Sequence, residues 1–155
     1  MKNPVAAADR CFPVLILVIA TTSGVAAADP IISPAQAKSW HAIYTIEKPR
    51  TASDKAWNAN RRKLGVEGAI TEKSLELKID RGDEYPLMLK SDESFDDGRG
   101  GIEYRGIWTD VVKGESGIFQ AVYDNRRSGY VIDMGRGYKS HNSYSDYTVT
   151  LQRGR

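Results

Sequence analysis

The sequence predicts an all-β domain. The first choice is a single up-and-down antiparallel barrel of about eight strands with one short surface helix, and the second choice is a two-sheet β-sandwich. Short runs of β-branched and aromatic residues recur along the chain, as is typical of half-buried strands. Turn signals separate these runs at the spacing found in sandwiches and small barrels. The connections are short and local, which favours the barrel.

The segment from Ile102 to Met134 is predicted to be a β-meander of consecutive antiparallel strands. Two polar stretches, 113–116 and 125–129, divide it into three runs and have the length and the glycine or asparagine content of hairpin turns. Gly106 lies where the alternation of apolar residues shifts between Tyr104 and Trp108. This shift predicts a β-bulge or a bend of the barrel.

Residues 1–28 have the three-part layout of a secretory signal peptide. Lys2 and Arg10 supply positive charge, 12–20 form a short apolar core, and 26–28 are alanines that precede a cleavage site. The core is shorter than the roughly 20 apolar residues that span a bilayer, although an uncleaved anchor is the alternative. We therefore expect a secreted or periplasmic protein whose residues 29–155 form one β domain, with no membrane insertion after cleavage.

Cysteine content and net charge restrict the classes of partner. Cys11 is the only cysteine and lies in the predicted signal, so the mature domain has no disulfide, thiolate metal site or cysteine nucleophile. The net charge of +2 gives no electrostatic argument for binding nucleic acid or an anionic membrane. The expected partners are a small-molecule ligand or an envelope protein.

The first half of the domain alternates predicted strands with one helix. Residues 39–46 form the first strand, because apolar residues recur at every second position. Residues 53–65 form the helix, with Ser53 as N-cap and Gly65 just beyond the C-terminus. Strands are predicted at 66–71, 74–80 and 87–90, with a turn from Arg81 to Pro86 between the last two.

The remaining elements flank the meander. Residues 91–101 are rich in aspartate and glycine and are predicted to form a long loop. A partial strand is predicted at 138–142. The alternation of Tyr147, Val149 and Leu151 with threonines predicts the closing strand.

Tyrosine and tryptophan side chains, spread over several strands, give the leading functional hypothesis. They combine an apolar body with a polar tip, which suits a ligand cavity or a sugar-stacking face. We expect a non-enzymatic domain that binds a small apolar or sugar-like ligand, or a partner protein, through such a cavity or face. Core packing and cross-strand pairing are the alternative use of these residues. The predicted ligand-binding residues are Trp40, Tyr44, Tyr104, Trp108, Tyr123 and Tyr130.

The acidic loop predicts one candidate metal site. Its oxygen-bearing side chains recur at the spacing of a calcium loop, although Asp97 stands where such a loop needs glycine. The alternative is a solvated hairpin loop, and no cofactor other than this calcium ion is expected. The predicted calcium ligands are Asp92, Ser94, Asp96 and Glu103.

Other function classes stay open from the sequence. Asp110, Asp124 and Asp133 lie on or beside the meander strands, and paired carboxylates would make the domain an extracytoplasmic hydrolase of carbohydrates. His41 and His141 could meet at a metal site if the first and last strands are neighbours. A structural or inhibitory envelope protein acting through an exposed edge strand is the third possibility.

Overall fold

The computed structural model describes residues 30–82, 85–137 and 146–154, and these form a closed antiparallel β-barrel of eight strands. The strands pair in chain order and β8 pairs with β1, which confirms the predicted barrel over the sandwich. The predicted signal peptide and the partial strand at 138–142 lie outside the described residues. The elements are α1 (Pro34–Ala37), β1 (Trp40–Ile46), α2 (Ala52–Asn60), β2 (Leu64–Ile70), β3 (Leu75–Asp80), β4 (Leu87–Asp96), β5 (Ile102–Asp110), β6 (Glu115–Asp124), β7 (Gly129–Arg136) and β8 (Tyr147–Arg153).

Alternating side chains of every strand fill the barrel. The interior of an eight-stranded barrel is just wide enough for side chains to pack across it. Leu77, Leu89, Ile132 and Val149 are fully buried there, and Phe119 is 1% exposed. Neither described helix has the length and apolar composition needed to span a bilayer.

A β-bulge lies opposite Gly106, as the sequence predicts. The register between β4 and β5 shifts between Ser91 and Glu93, so the extra residue is Asp92 in β4. A Cβ atom on Gly106 would lie 2.1 Å from the carbonyl oxygen of Lys90. Only glycine allows this close approach of the two strands.

The strand β4 is longer than its composition predicts. The sequence predicts a strand at 87–90 followed by a loop at 91–101, but β4 continues to Asp96. Its polar second half pairs with β5 from Glu93 opposite Arg105 to Asp96 opposite Ile102. Backbone pairing with a well-defined neighbour, and not apolar content, therefore extends this strand.

The helix α2 begins and ends earlier than predicted. Thr51, and not Ser53, is the N-cap: its hydroxyl accepts a hydrogen bond from the Asp54 amide, while the Asp54 carboxylate accepts one from the Thr51 amide. The helix ends before Arg61, whose backbone is left-handed with φ of 40°. Leu64 is buried in the barrel as the first residue of β2, which prevents the helix from reaching Gly65. The two prolines within residues 29–37 predict an extended lead-in to β1, but Pro34–Ala37 form the short helix α1.

The strand pair β1–β2 is paired over only part of its length. Two residue pairs, beginning with His41 opposite Gly65, join these strands, whereas β1 pairs with β8 along all seven of its residues. Helix α2 packs against the part of β1 that is not paired with β2. The Trp57 indole donates to the Tyr44 carbonyl (3.1 Å), and the Asn58 amide both donates to and accepts from the backbone of Ile46 (2.8 and 2.9 Å). We call this junction the β1–β2 seam.

The two ends of the barrel are closed differently. Residues 30–39 cross one end, where Ile32 pairs with Ile70 and the Tyr130 hydroxyl donates to the Pro30 carbonyl (2.8 Å). Ile32 and Ala37 are fully buried under this segment, and we call this the capped end. The opposite end carries the polar side chains that form the candidate site.

Candidate functional site

Most of the aromatic residues predicted to bind a ligand fill the barrel interior. Trp40, Tyr44, Tyr104, Trp108 and Tyr130 are at most 8% exposed. Trp40 and Tyr104 pack their rings against Tyr130, with centroids 6.5 and 6.3 Å apart. These side chains therefore belong to the core, and the ring contacts run across the barrel interior. A role for them in ligand binding stays a prediction.

Tyr123 differs from the other predicted ligand-binding residues because it is half-buried and lines a cleft. Its ring packs edge to face against Tyr130, with centroids 5.2 Å apart. The cleft has a volume of about 660 Å³ and lies between the β4–β5 and β6–β7 turns. We call it the loop cleft.

The predicted calcium ligands are not brought together. Ser94 pairs with Tyr104 and Phe95 with Glu103, so Glu103 points to the opposite face of the sheet from Ser94. The Glu103 carboxylate instead accepts a hydrogen bond from Arg105 (2.5 Å). Within residues 30–82, 85–137 and 146–154, no group of three or more histidine, cysteine, aspartate or glutamate side chains is arranged to hold a metal ion.

The three aspartates considered for hydrolysis are separated. Asp110 is buried at one end of the barrel, and Asp124 lies at the other end, where it accepts from the Arg126 amide. Asp133 lies on the outer wall and accepts from the Thr148 hydroxyl (3.2 Å). His41 also lies on the outer wall of β1, and its predicted partner His141 is outside the described residues.

Polar side chains collect at the end of the barrel opposite the capped end, and we call this group the charged mouth. Its members end a strand, begin one, or lie in the adjoining turn, so they surround one opening. They are Arg81, Asp110, Lys113, Glu115, Arg136 and Tyr147. Arg81, Asp110 and Tyr147 are buried there, Glu115 is half-buried, and Lys113 and Arg136 are exposed.

Arg81 and Asp110 form a buried bidentate ion pair at the base of the charged mouth. The guanidinium nitrogens lie 2.6 and 2.9 Å from the two carboxylate oxygens, and the side chains are 4% and 1% exposed. Burial alone would raise the pKa of Asp110, but hydrogen bonds from Arg81 and the Lys113 amide outweigh it and lower the pKa. Asp110 is therefore ionised at neutral pH and held in place.

Tyr147 is the centre of a second polar network. Its hydroxyl donates to Glu115 (2.6 Å) and accepts hydrogen bonds from the guanidinium of Arg136. Arg136 also lies 3.3 Å from the Glu115 carboxylate. Burial and the hydrogen bond to Glu115 raise the pKa of Tyr147 to about 12, so the phenol stays protonated at neutral pH.

A cation lies over the aromatic residues at this end. Tyr44 stacks on Tyr147 (5.3 Å between centroids), and Trp108 packs edge-on against Tyr147 (5.6 Å). The Lys113 ammonium is 5.2 Å from the Tyr147 ring and 5.6 Å from the Tyr44 ring. No carboxylate in the described part of the chain forms an ion pair with Lys113.

A pocket of about 220 Å³ opens above these groups. Each acidic side chain in it already has partners: Asp54 caps α2, Glu115 binds Tyr147 and Arg136, and Asp146 accepts from the Arg136 amide. Four basic side chains face these three acidic ones, so the lining carries a net charge of +1. Its lining residues are Ile46, Lys48, Arg50, Asp54, Lys113, Glu115, Arg136, Asp146 and Tyr147.

The charged mouth was missed from the sequence, although a signal for it exists. Arg81 continues the inward row of Leu77 and Ile79, and Asp110 continues the inward row that includes Trp108. A charged residue at the next inward position of a strand marks either the rim of a barrel or a buried ion pair. Arg81 and Asp110 carry opposite charges at such positions of two strands, which indicates a buried ion pair at the rim of the barrel.

No protein-family model matches the chain, and no curated protein and no solved structure is detectably similar to it. Function is therefore inferred from the geometry of the charged mouth and of the loop cleft.

Proposed function

We propose that this chain is an exported, non-enzymatic binding domain whose charged mouth holds the anionic group of a small molecule. The observation that supports this most directly is the position of Lys113. Its ammonium lies over the Tyr44 and Tyr147 rings at the edge of a pocket, and it forms no ion pair among the described residues, although Asp54 and Asp110 lie close enough to interact with it electrostatically. A ligand carboxylate or phosphate would accept a charge-assisted hydrogen bond from it.

The size of the pocket limits what it holds. Small-molecule sites commonly enclose roughly 300–1,000 Å³. At about 220 Å³, the pocket suits one charged head group or a small organic acid. Arg136, fixed by Tyr147 and Glu115, and Lys113 would contact this group from two sides. The rigid aromatic layer beneath it reduces the entropy lost on binding.

Hydrolysis by paired carboxylates has less support than binding. A carboxylate pair needs one group that accepts or donates a proton and a second that attacks or activates water. Asp110 is held by both guanidinium nitrogens of Arg81, and Glu115 is bonded to Tyr147 and Arg136. Tyr147, with a pKa of about 12, is a poor general base at neutral pH.

Titration of the exported chain with simple anions tests this proposal. Acetate, succinate and inorganic phosphate are added separately, glucose serves as the neutral control, and binding is followed by calorimetry and by NMR shifts of the Tyr147 region. We expect saturable binding of at least one anion and none of glucose. Lys113→Met should weaken binding about tenfold, since an ion-assisted hydrogen bond contributes about 1.5–3 kcal/mol.

The matched control is Lys90→Met, which removes the same charge from the exposed outer wall of β4. It should leave the affinity unchanged. Equal weakening by both variants would mean that only net charge attracts the anion. Absence of binding for all three anions at millimolar concentration would reject the proposal.

A further inference from the structure

The loop cleft is a second concave site, at the opposite end of the barrel from the charged mouth. Its volume of about 660 Å³ lies within the range of small-molecule sites. One wall is the β4–β5 turn and the other is the β6–β7 turn. The half-buried side chains of Tyr123, Val122 and Val131 supply its apolar surface.

The carboxylates of the cleft are used within the protein. Asp97 accepts hydrogen bonds from the amides of Arg99 (2.7 Å) and Gly101 (2.9 Å), which fixes the β4–β5 turn. Asp124 accepts from the Arg126 amide (2.9 Å) and lies 3.4 Å from the guanidinium of Arg127, which fixes the β6–β7 turn. These acids therefore shape the walls and are less available to a solute.

Two guanidinium groups of the cleft remain available. Arg99 and Arg126 are exposed, and their side chains form no hydrogen bond or ion pair within the described ranges. They come from the two opposing turns. Guanidinium is planar and matches the two oxygens of a carboxylate in a bidentate geometry.

We propose that the loop cleft binds an acidic saccharide of the uronic-acid class. Arg99 and Arg126 would bind carboxylates of sugar units, and Tyr123 would contact the apolar face of a pyranose ring. This combination favours a saccharide over an acidic peptide, because an aromatic ring beside two guanidinium groups matches a sugar ring that has an apolar C–H face and carries a carboxylate. The inference is independent of anion binding at the charged mouth.

Calorimetry of the exported chain with tetragalacturonate tests this site. Wild-type protein should bind the acidic saccharide and should not bind the neutral maltotetraose at the same concentration. Arg99→Ala and Arg126→Ala should each weaken binding about tenfold, and the double variant should weaken it about a hundredfold. Tyr123→Leu should also weaken binding, while circular dichroism verifies that each variant is folded.

Two control variants separate this site from other effects. Lys78→Ala removes an exposed charge from the outer wall of β3, and Lys113→Met alters only the charged mouth. Both should bind tetragalacturonate as the wild type does, even if Lys113→Met loses acetate or phosphate.

Three results would overturn the proposal. They are absence of wild-type binding, full retention of binding by the Arg99→Ala/Arg126→Ala variant, and equally tight binding of polyglutamate through the same arginines. The last result would identify the cleft as a site for acidic peptides.

Discussion

The capped end and the charged mouth close the same barrel by different chemistry. At the capped end, tyrosine hydroxyls donate to backbone carbonyls: Tyr130 to Pro30 (2.8 Å) and Tyr104 to Thr71 (2.7 Å). At the charged mouth, ionised side chains satisfy one another, as in the Arg81–Asp110 pair. One end therefore needs an added chain segment, and the other needs complementary charges.

This difference indicates that the segment across the capped end contributes mainly to stability, whereas the polar layer of the charged mouth does not. Apolar burial stabilises a fold by about 25 cal/mol per Å² removed from water. A buried ion pair gives little net stability compared with apolar residues of similar volume. The polar layer of the charged mouth is thus poorly explained by stability alone, whereas perturbed titratable groups around a pocket are typical of functional sites.

The largest expected effect concerns the Arg81–Asp110 pair. Arg81→Met or Asp110→Leu alone should lower the free energy of unfolding by about 3–5 kcal/mol, since each leaves a buried charge unpaired. The double variant should be close to the wild type in stability. Urea denaturation of the four proteins measures this. A double variant as unstable as either single variant would show that the pair stabilises the barrel more than its apolar replacement does, and additive losses would show that the two residues are not coupled.

At the capped end, Ile32→Ala should lower the free energy of unfolding by about 2–5 kcal/mol, because it leaves a cavity under the N-terminal segment. Ile31→Ala is the matched control: Ile31 is 53% exposed and Ile32 is fully buried. Thermal and urea unfolding should show a change within about 0.5 kcal/mol for the control. Similar losses for both would mean that the segment does not pack as a cap.

Replacing tyrosine by phenylalanine removes one hydroxyl group, so such variants compare the hydrogen bonds at the two ends of the barrel. Tyr130→Phe removes a neutral hydrogen bond at the capped end and should cost about 1 kcal/mol. Tyr147→Phe removes bonds to Glu115 and Arg136 and should cost about 2 kcal/mol, because bonds to charged groups are stronger. Chemical denaturation measures both, and a reversed order would contradict this account of the charged mouth.

Part of the pH dependence of stability should come from the charged mouth. Because the folded-state pKa of Asp110 is lowered, its contribution is present above the unfolded-state pKa of about 3.9 and is lost as the pH falls through the lower folded value. Unfolding measured between pH 5 and pH 2 should show this loss. The Arg81→Met/Asp110→Leu variant should give a shallower decline, and an unchanged slope would assign the loss to other carboxylates.

The alternation of apolar and polar residues within single strands made the barrel predictable. The features that were missed depend on pairing between strands. Leu75, Leu77 and Ile79 alternate with charged residues, so β3 is readable from its own sequence. The second half of β4 has no such pattern and depends on β5 for its hydrogen bonds. A strand that forms only because a neighbouring strand provides its hydrogen bonds cannot be identified from its own residues.

The candidate sites show the same limit. The calcium prediction counted positions along a loop, but β4 continues through that segment, and its register with β5 places Ser94 and Glu103 on opposite faces of the sheet. Arg81 and Asp110 are 29 positions apart, and only the closed barrel with its register brings them together. Of the predicted ligand-binding aromatics, burial within the barrel distinguishes Tyr123 from the other five.

The β1–β2 seam gives the barrel a preferred place to open. Elsewhere a strand must separate from a longer backbone ladder, but here two side chains of α2 hold much of the junction. Local opening with a low free energy occurs where few cooperative hydrogen bonds must break. Release of Trp57 would remove the hydrogen bond to the Tyr44 carbonyl and the ring contact with Tyr44, whose ring stacks on Tyr147 in the charged mouth. We expect fluctuations of α2 to reach the floor of the proposed site by this route, and Trp57 fluorescence and amide exchange in β1 would record them.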